Sequence, residues 1–175
     1  MNLVIAKLIM RLAKKRNCNM AVLTEKQIKY GFDYYHKDDA RPKSVVEVSE
    51  YDGEDKLIIN CTQLDEGYSA KDKKRIWLEW CDFMVNNPDA FTELMFCTRM
   101  PQDLFDAVCA QRKLKKLYIK WGVYPDISKL EKLQELKYLH IGSGRSVSSL
   151  EPISKLENLV ALSIENFQQI DDYTP

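Results

Sequence analysis

Apolar residues near the start of the chain recur at helical spacing, and basic residues recur on the opposite side. This pattern predicts a basic amphipathic helix over residues 1–19. Such a helix can lie on an anionic membrane surface, in a partner's groove or on its own domain. Translation from Met20 is a further alternative, in which case the helix is a start-site artefact. The apolar stripe consists of Ile5, Leu8, Ile9 and Leu12.

Two further helices are predicted from a capping signal followed by apolar residues at helical spacing. The first begins after Thr24, whose side chain can accept from the third helical N–H while Gln27 reaches back. The second begins after Ser69 and ends before Pro88, because proline cannot continue a helix. The inward positions are Ile28, Phe32 and Tyr35 in the first helix, and Ile76, Trp80, Phe83 and Met84 in the second.

Between these helices lie two β-branched runs, SVVEVSEY and KLIINC. They are separated by Asp52-Gly53-Glu54-Asp55, which has the composition of a hairpin turn. We therefore expect one antiparallel pair.

From residue 91 onward the chain repeats one apolar spacing at offsets of 23, 22 and 23 residues. In each copy the last two apolar side chains point inward from a short strand, so the segment that follows must cover them. The copies are Phe91-x-x-Leu94-x-Phe96, Leu114-x-x-Leu117-x-Ile119, Leu136-x-x-Leu139-x-Ile141 and Leu159-x-x-Leu162-x-Ile164. The covering residues are Leu104, Phe105 and Val108, then Ile127, Leu130 and Leu133, then Ile153 and Leu156.

This period and spacing resemble the leucine-rich repeat. The related segments ISKLEKLQELKYLHI and ISKLENLVALSI are similar to the short-period bacterial class that includes the internalins. The resemblance covers about residues 91–170 and implies a solenoid of parallel strands. We therefore predict an α/β fold in which an α/β N-terminal cap with a β-hairpin, residues 20–90, precedes a short leucine-rich-repeat solenoid, residues 91–175.

The turn after each strand departs from the family pattern. The family usually has Asn three residues after the last strand apolar, where its side chain satisfies backbone groups. Glycine accepts a positive φ without that side chain, so tight turns of this kind are expected at the two glycines. No recognisable cap follows Ile170, so the tail or a partner covers the last unit, or the reading frame is cut short. The four positions hold Arg99, Gly122, Gly144 and Phe167.

Composition narrows the classes of partner. The 26 basic and 26 acidic side chains cancel, so no net charge attracts nucleic acid. No apolar run reaches the roughly 20 residues of a spanning helix, and Lys7 interrupts what would be a signal-peptide core. Five cysteines without a CxxC pair and two histidines do not make a zinc module. We expect a reduced, cytoplasmic chain.

Catalytic chemistry is not indicated. GxSxG, Walker A, GxGxxG and HExxH are all absent. His36 lies in a predicted loop, and His140 on a strand is a contact residue or, as the alternative, a ligand or general base. The cysteines within apolar patterns are expected in the core; they are Cys61, Cys81, Cys97 and Cys109. We predict no enzyme, no cofactor and no metal.

The concave strand face is the predicted binding surface. Strand alternation and the strand spacing of about 4.8 Å make Tyr118 and His140 lateral neighbours, with Trp121 nearby. Large aromatics of this kind dominate protein interfaces. We predict a non-catalytic protein–protein interaction module such as an adaptor, a recogniser or an immunity protein. The alternatives are a membrane-surface protein anchored by the basic helix and a truncated repeat-protein remnant with an idle face. The predicted contact residues are Lys116, Tyr118, Lys120, Trp121, Tyr138 and His140.

Overall fold

A computed structural model describes residues 41–170. The predicted basic helix, the helix after Thr24, and the residues Cys18 and His36 lie outside the described residues, as does the tail after Ile170.

The described chain is an α/β fold built on a six-stranded parallel sheet. The strand order is β1-β2-β3-β5-β7-β8, and the two short strands β4 and β6 pair with each other beside it, also in parallel. The strands are β1 (Lys43–Val45), β2 (Lys56–Ile59), β3 (Glu93–Phe96), β4 (Met100–Pro101), β5 (Lys116–Ile119), β6 (Gly122–Val123), β7 (Tyr138–Gly142) and β8 (Ala161–Glu165).

Neighbouring strands of the sheet pair at equivalent positions of successive copies of the sequence repeat. The first inward positions of β3, β5, β7 and β8 are direct partners in neighbouring strands, and so are the second ones. The predicted register is therefore confirmed. Seven of these side chains are buried, while Ile164 in the last described strand is half-buried. The first set is Leu94, Leu117, Leu139 and Leu162, and the second is Phe96, Ile119, Ile141 and Ile164.

A backbone ladder at the strand entries joins the units. The carbonyl of Thr92 accepts the N–H groups of Lys115 and Lys116, and the carbonyls of Lys115 and Lys137 repeat this pattern with the next strands. The carbonyl of Asp55 does the same for β3. The ladder therefore begins at β2, ahead of the segment in which the sequence repeat is visible.

The predicted hairpin is wrong. The strands β1 and β2 are neighbours, but they run parallel, with Val45 opposite Ile59. A 3-10 turn at Val48–Glu50 and a bend at Gly53, where φ is +95°, bring the chain back to the starting edge before β2. Turn residues indicate that a chain bends, but the direction of the next strand depends on the edge at which the intervening segment, residues 46–55, delivers it. Parallel pairing places Val45 and Ile59 in the same apolar cluster.

The described helices pack on one face of the sheet. The helix predicted from Ser69 is confirmed as α1 (Ala70–Asn86), and the Ser69 side chain accepts from the backbone N–H of Asp72. The others are α2 (Gln102–Val108), a 3-10 helix (Ser128–Lys132) and α3 (Glu151–Ser154). The covering residues predicted after each strand are all buried in one cluster with the inward strand positions.

The glycines after the strands are required for a reason other than the expected one. Neither Gly122 nor Gly144 has a positive φ. A Cβ at Gly122 would lie 2.4 Å from the carbonyl oxygen of Met100, and one at Gly144 would lie 2.5 Å from the ring of Phe167. Close approach of neighbouring chain segments therefore excludes a side chain there. Left-handed backbone occurs instead at Ser143 and Asn166, with φ of 51° and 57°.

Candidate functional site

The side of the sheet opposite the described helices, here called the second face, carries two rows of side chains that cross several strands. Each row runs through residues that are direct partners in adjacent strands, so its members are lateral neighbours about 4.8 Å apart. The central row is Ser44, Ile58, Met95, Tyr118, His140 and Ser163. The lower row is Lys56, Glu93, Lys116, Tyr138 and Ala161.

An aromatic pair lies in the central row. The rings of Tyr118 and His140 are stacked, with centroids 4.3 Å apart and planes 13° apart. Nδ1 of His140 lies 2.9 Å from Oγ of Ser163, and the tautomer decides which of the two donates. The predicted neighbourhood of Tyr118 and His140 is confirmed. The hydrogen bond holds the imidazole plane in the orientation in which it stacks.

The lower row alternates in charge. The carboxylate of Glu93 lies between two ammonium groups, 3.5 Å from Nζ of Lys56 and 3.4 Å from Nζ of Lys116. The Lys116 side chain is largely buried, and that of Lys56 is half exposed. The row therefore places one negative and two positive charges beside the aromatic pair.

The remaining predicted contact residues lie further from the pair. Tyr138 is half-buried in the lower row, opposite Lys116. Lys120 follows β5 directly and is exposed. Trp121 is half-buried beside the small β4–β6 sheet, where its carbonyl accepts the N–H of Met100. The structure thus brings Lys116, Tyr118, Tyr138 and His140 into two adjacent strands, while Lys120 and Trp121 lie past the end of β5.

Sequence reasoning missed five members of the two rows, which are Ser44, Lys56, Ile58, Glu93 and Met95. Glu93 and Met95 precede Lys116 and Tyr118 by one repeat of 23 residues, so the same arithmetic that placed the two predicted residues could have placed them. The repeat spacing could not place Ile58, because β2 was expected to form a hairpin with β1 and not to pair with the strands of the repeat. Both apolar side chains are almost completely shielded from solvent, with Ile58 at 2% and Met95 at 6% exposed.

The order of Ser163, His140 and Glu165 resembles a nucleophile–base–acid set. Nε2 of His140 and Oε2 of Glu165 are 4.0 Å apart, which is longer than a hydrogen bond. The carboxylate therefore does not orient the imidazole as a general base requires.

Three thiols are held in their neutral form. Burial is the main cause that raises the pKa of Cys61 and of Cys81 to about 12, and burial also raises the pKa of Cys109. Because the thiolate is the reactive form, these three side chains are not activated nucleophiles at neutral pH.

Residues 41–170 contain neither a candidate metal site nor a helix that could span a membrane. That part of the chain has no group of three His, Cys, Asp or Glu side chains placed to hold a metal ion. Within the same residues, no helix combines the length and the apolar character needed to cross a bilayer.

Comparison of the whole chain with protein families, with curated proteins and with solved structures finds no match.

Proposed function

We propose that this protein is a non-catalytic protein-interaction module that binds a partner protein through the second face of its sheet. The observation that carries the proposal is the stacked pair of Tyr118 and His140 beside the charged row of Glu93 and Lys116. Rigid aromatics next to fixed charges are typical of protein interfaces, because they bury much area at low cost in side-chain entropy.

The architecture that supports this function is a short leucine-rich-repeat solenoid. The proposal draws support from the confirmed register of the four sequence copies and from the backbone ladder at the strand entries. In such arrays the strand face is a continuous surface that recognises other proteins. The bacterial short-period class remains the resemblance that the sequence suggests.

The cytoplasm is the compartment that we propose. Four described cysteines are free thiols, as expected in a reducing environment. They are Cys61, Cys81, Cys97 and Cys109.

Site-specific photo-crosslinking in cells tests the function. A photo-crosslinking amino acid in place of Lys120 lies at the edge of the second face, where the side chain is exposed. The same amino acid in place of Val85, which is 58% exposed on α1, is the matched control on the helical face. We expect one partner protein to be captured reproducibly from position 120 and not from position 85.

Equal capture from both positions would contradict the proposal, since capture would then not depend on the second face. Capture from position 120 that survives removal of the aromatic pair, in the double variant Tyr118→Ala with His140→Ala, would also contradict it.

A further inference from the structure

The last strand of the described sheet, β8, has one edge that pairs with β7 and one outer edge. The N–H of Ala161 and the C=O of Glu165 bond to the neighbouring unit. Because alternate residues of such a strand bond to opposite sides, the N–H and C=O groups of Leu162 and Ile164 point away from β7. Within residues 41–170 no group pairs with these four.

Ile164 marks the place where the core of the last described unit is open. Its counterparts Ile119 and Ile141, at the same position in β5 and β7, are completely buried, whereas Ile164 is half-buried. Each counterpart has a neighbouring strand on both sides, and β8 has a described neighbour on one side only. A further strand beside β8 would therefore satisfy the outward backbone groups and cover Ile164.

The opposite edge of the sheet is protected by charge. In β1 the first inward position, which is apolar in the other strands, is Lys43. Its exposed ammonium group forms ion pairs with Asp52 and Glu54. A charged side chain at such a position prevents edge-to-edge pairing in many sheet proteins. The inward positions of β8 are both apolar, so this edge has no such protection.

The residues of β8 are complementary to a second copy of the same strand. In an antiparallel arrangement about a two-fold axis at Ser163, Leu162 lies opposite Ile164 of the second copy, and this apolar pair occurs twice. The outward backbone groups of the two copies then form four hydrogen bonds. If β8 paired instead with β1 of the next copy, in the register of the rest of the sheet, the ammonium group of Lys43 would lie against Leu162.

We propose that two copies of this chain pair through β8, antiparallel and about a two-fold axis at Ser163, as an isologous dimer. The inference goes beyond the proposed function and does not depend on it. In the dimer the central row runs from Tyr118 and His140 through Ser163 into the second copy without a break. The two candidate sites lie on the same side of one continuous sheet.

A disulfide at the axis tests this arrangement in the purified full chain. Directly opposite residues of a non-hydrogen-bonded antiparallel pair have Cα atoms about 4.5 Å apart, a distance that a disulfide can bridge. We expect mild oxidation of Ser163→Cys to give a dimer joined between the two residues at position 163, identified by peptide mapping. The unsubstituted protein, oxidised in parallel, gives the background from the native cysteines.

The matched control is Glu165→Cys, on the same face of the same strand. The two residues at position 165 would be about 14 Å apart in the proposed dimer, so this variant should give about a tenth of the disulfide or less. Equal yields from both variants would contradict the proposal, and so would the absence of a disulfide at position 163. A mixture of Ser163→Cys and Ser44→Cys that joins position 163 to position 44 would assign the edge to head-to-tail stacking and overturn the two-fold pairing.

Charge at the axis provides a second measurement, by sedimentation equilibrium without oxidation. Like charges directly opposite each other destabilise an antiparallel pair, so Ser163→Lys and Ser163→Glu should each raise the dimer dissociation constant about fivefold. A mixture of the two variants should restore the dimer, because the charges at the axis then attract each other. Dissociation constants equal to that of the unsubstituted protein, or an unsubstituted protein that stays monomeric at about 1 mM, would overturn the proposal. If the mixture stays monomeric, the substitution itself disrupts β8, and the disulfide result decides.

Discussion

The phenol ring of Tyr118 stacks on the imidazole of His140, with 4.3 Å between the centroids and 13° between the planes. The two residues are direct partners in adjacent parallel strands and come from consecutive copies of the sequence repeat. The contact therefore joins two units of the array on the face that carries the candidate site. It also holds both rings in a defined orientation.

The aromatic pair should show a measurable coupling energy. In a double-mutant cycle with Tyr118→Leu and His140→Leu, urea unfolding should give a coupling of about 0.5–1.5 kcal/mol, the usual range for stacked rings. The control cycle combines Tyr118→Leu with Ser44→Ala, which is in the same row but three strands away. Its coupling should be zero within error. Equal coupling in both cycles would mean that stacking is not the cause.

Affinity for the captured partner should depend on Tyr118 more than on Lys120. Tyr118→Ala should weaken binding by about 2 kcal/mol or more, mainly through faster dissociation. Lys120 is exposed at the end of β5, so Lys120→Ala should act mainly on the association rate and on its salt dependence. Surface plasmon resonance at two salt concentrations measures both rates. An unchanged affinity for Tyr118→Ala would rule out the aromatic pair as the binding centre.

Truncation of Leu139 should be among the most destabilising substitutions in the core. It lies fully buried in β7 between Leu117 and Leu162. Leu139→Ala should lower the free energy of unfolding by about 2–5 kcal/mol, because a cavity forms between two units. Val123→Ala, at an exposed position, should change it by less than about 0.5 kcal/mol. Chemical denaturation of both variants makes the comparison, and similar losses would contradict the repeat-based core.

Gln111 should be essential for the junction between α1 and β3. Its side chain is fully buried, accepts the N–H of Phe91, and donates to the carbonyls of Met84 and Asn87. Gln111→Leu keeps the volume but removes all three hydrogen bonds, so we expect a loss of about 2–3 kcal/mol in unfolding free energy.

The matched control for Gln111 is Gln134→Leu. Gln134 also donates to backbone carbonyls but is exposed, so water can replace its bonds. That change should cost less than about 0.5 kcal/mol. A stable Gln111→Leu variant would show that the junction does not depend on these bonds.

Stability should fall as the solution becomes alkaline. Burial raises the pKa of Cys61 to about 12 from its usual value near 9. Between about pH 9 and pH 12 the Cys61 thiol therefore keeps its proton in the folded protein but loses it in the unfolded chain. The contribution of Cys61 to the free energy of unfolding is fully present below pH 9 and declines as the pH rises from 9 towards 12. Unfolding free energies across this range should decline less steeply in Cys61→Ala than in the unsubstituted protein. Val85→Ala removes no titrating group and should keep the original slope; a Cys61→Ala slope equal to it would contradict the assignment.

Part of this fold can be derived from the sequence because it depends on local periodicity. The spacing of Leu94, Leu117, Leu139 and Leu162 determined which strands are neighbours and in what register, since a shift by one residue would turn every apolar side chain to the other face. The cap at Ser69 determined where α1 begins. The same register made Tyr118 and His140 neighbours, so the centre of the candidate site was also within reach of the sequence.

Other features depended on segments that are distant along the chain. The Asp52–Asp55 turn indicated a bend, but the direction of β2 against β1 was decided by the whole segment between them, which returns the chain to the starting edge. Gly122 is required because the carbonyl of Met100 lies against it. Gln111 is buried where it bonds to three backbone groups between the end of α1 and the start of β3. Local sequence sets periodicity and caps, whereas strand direction and close backbone approach are properties of the assembled chain.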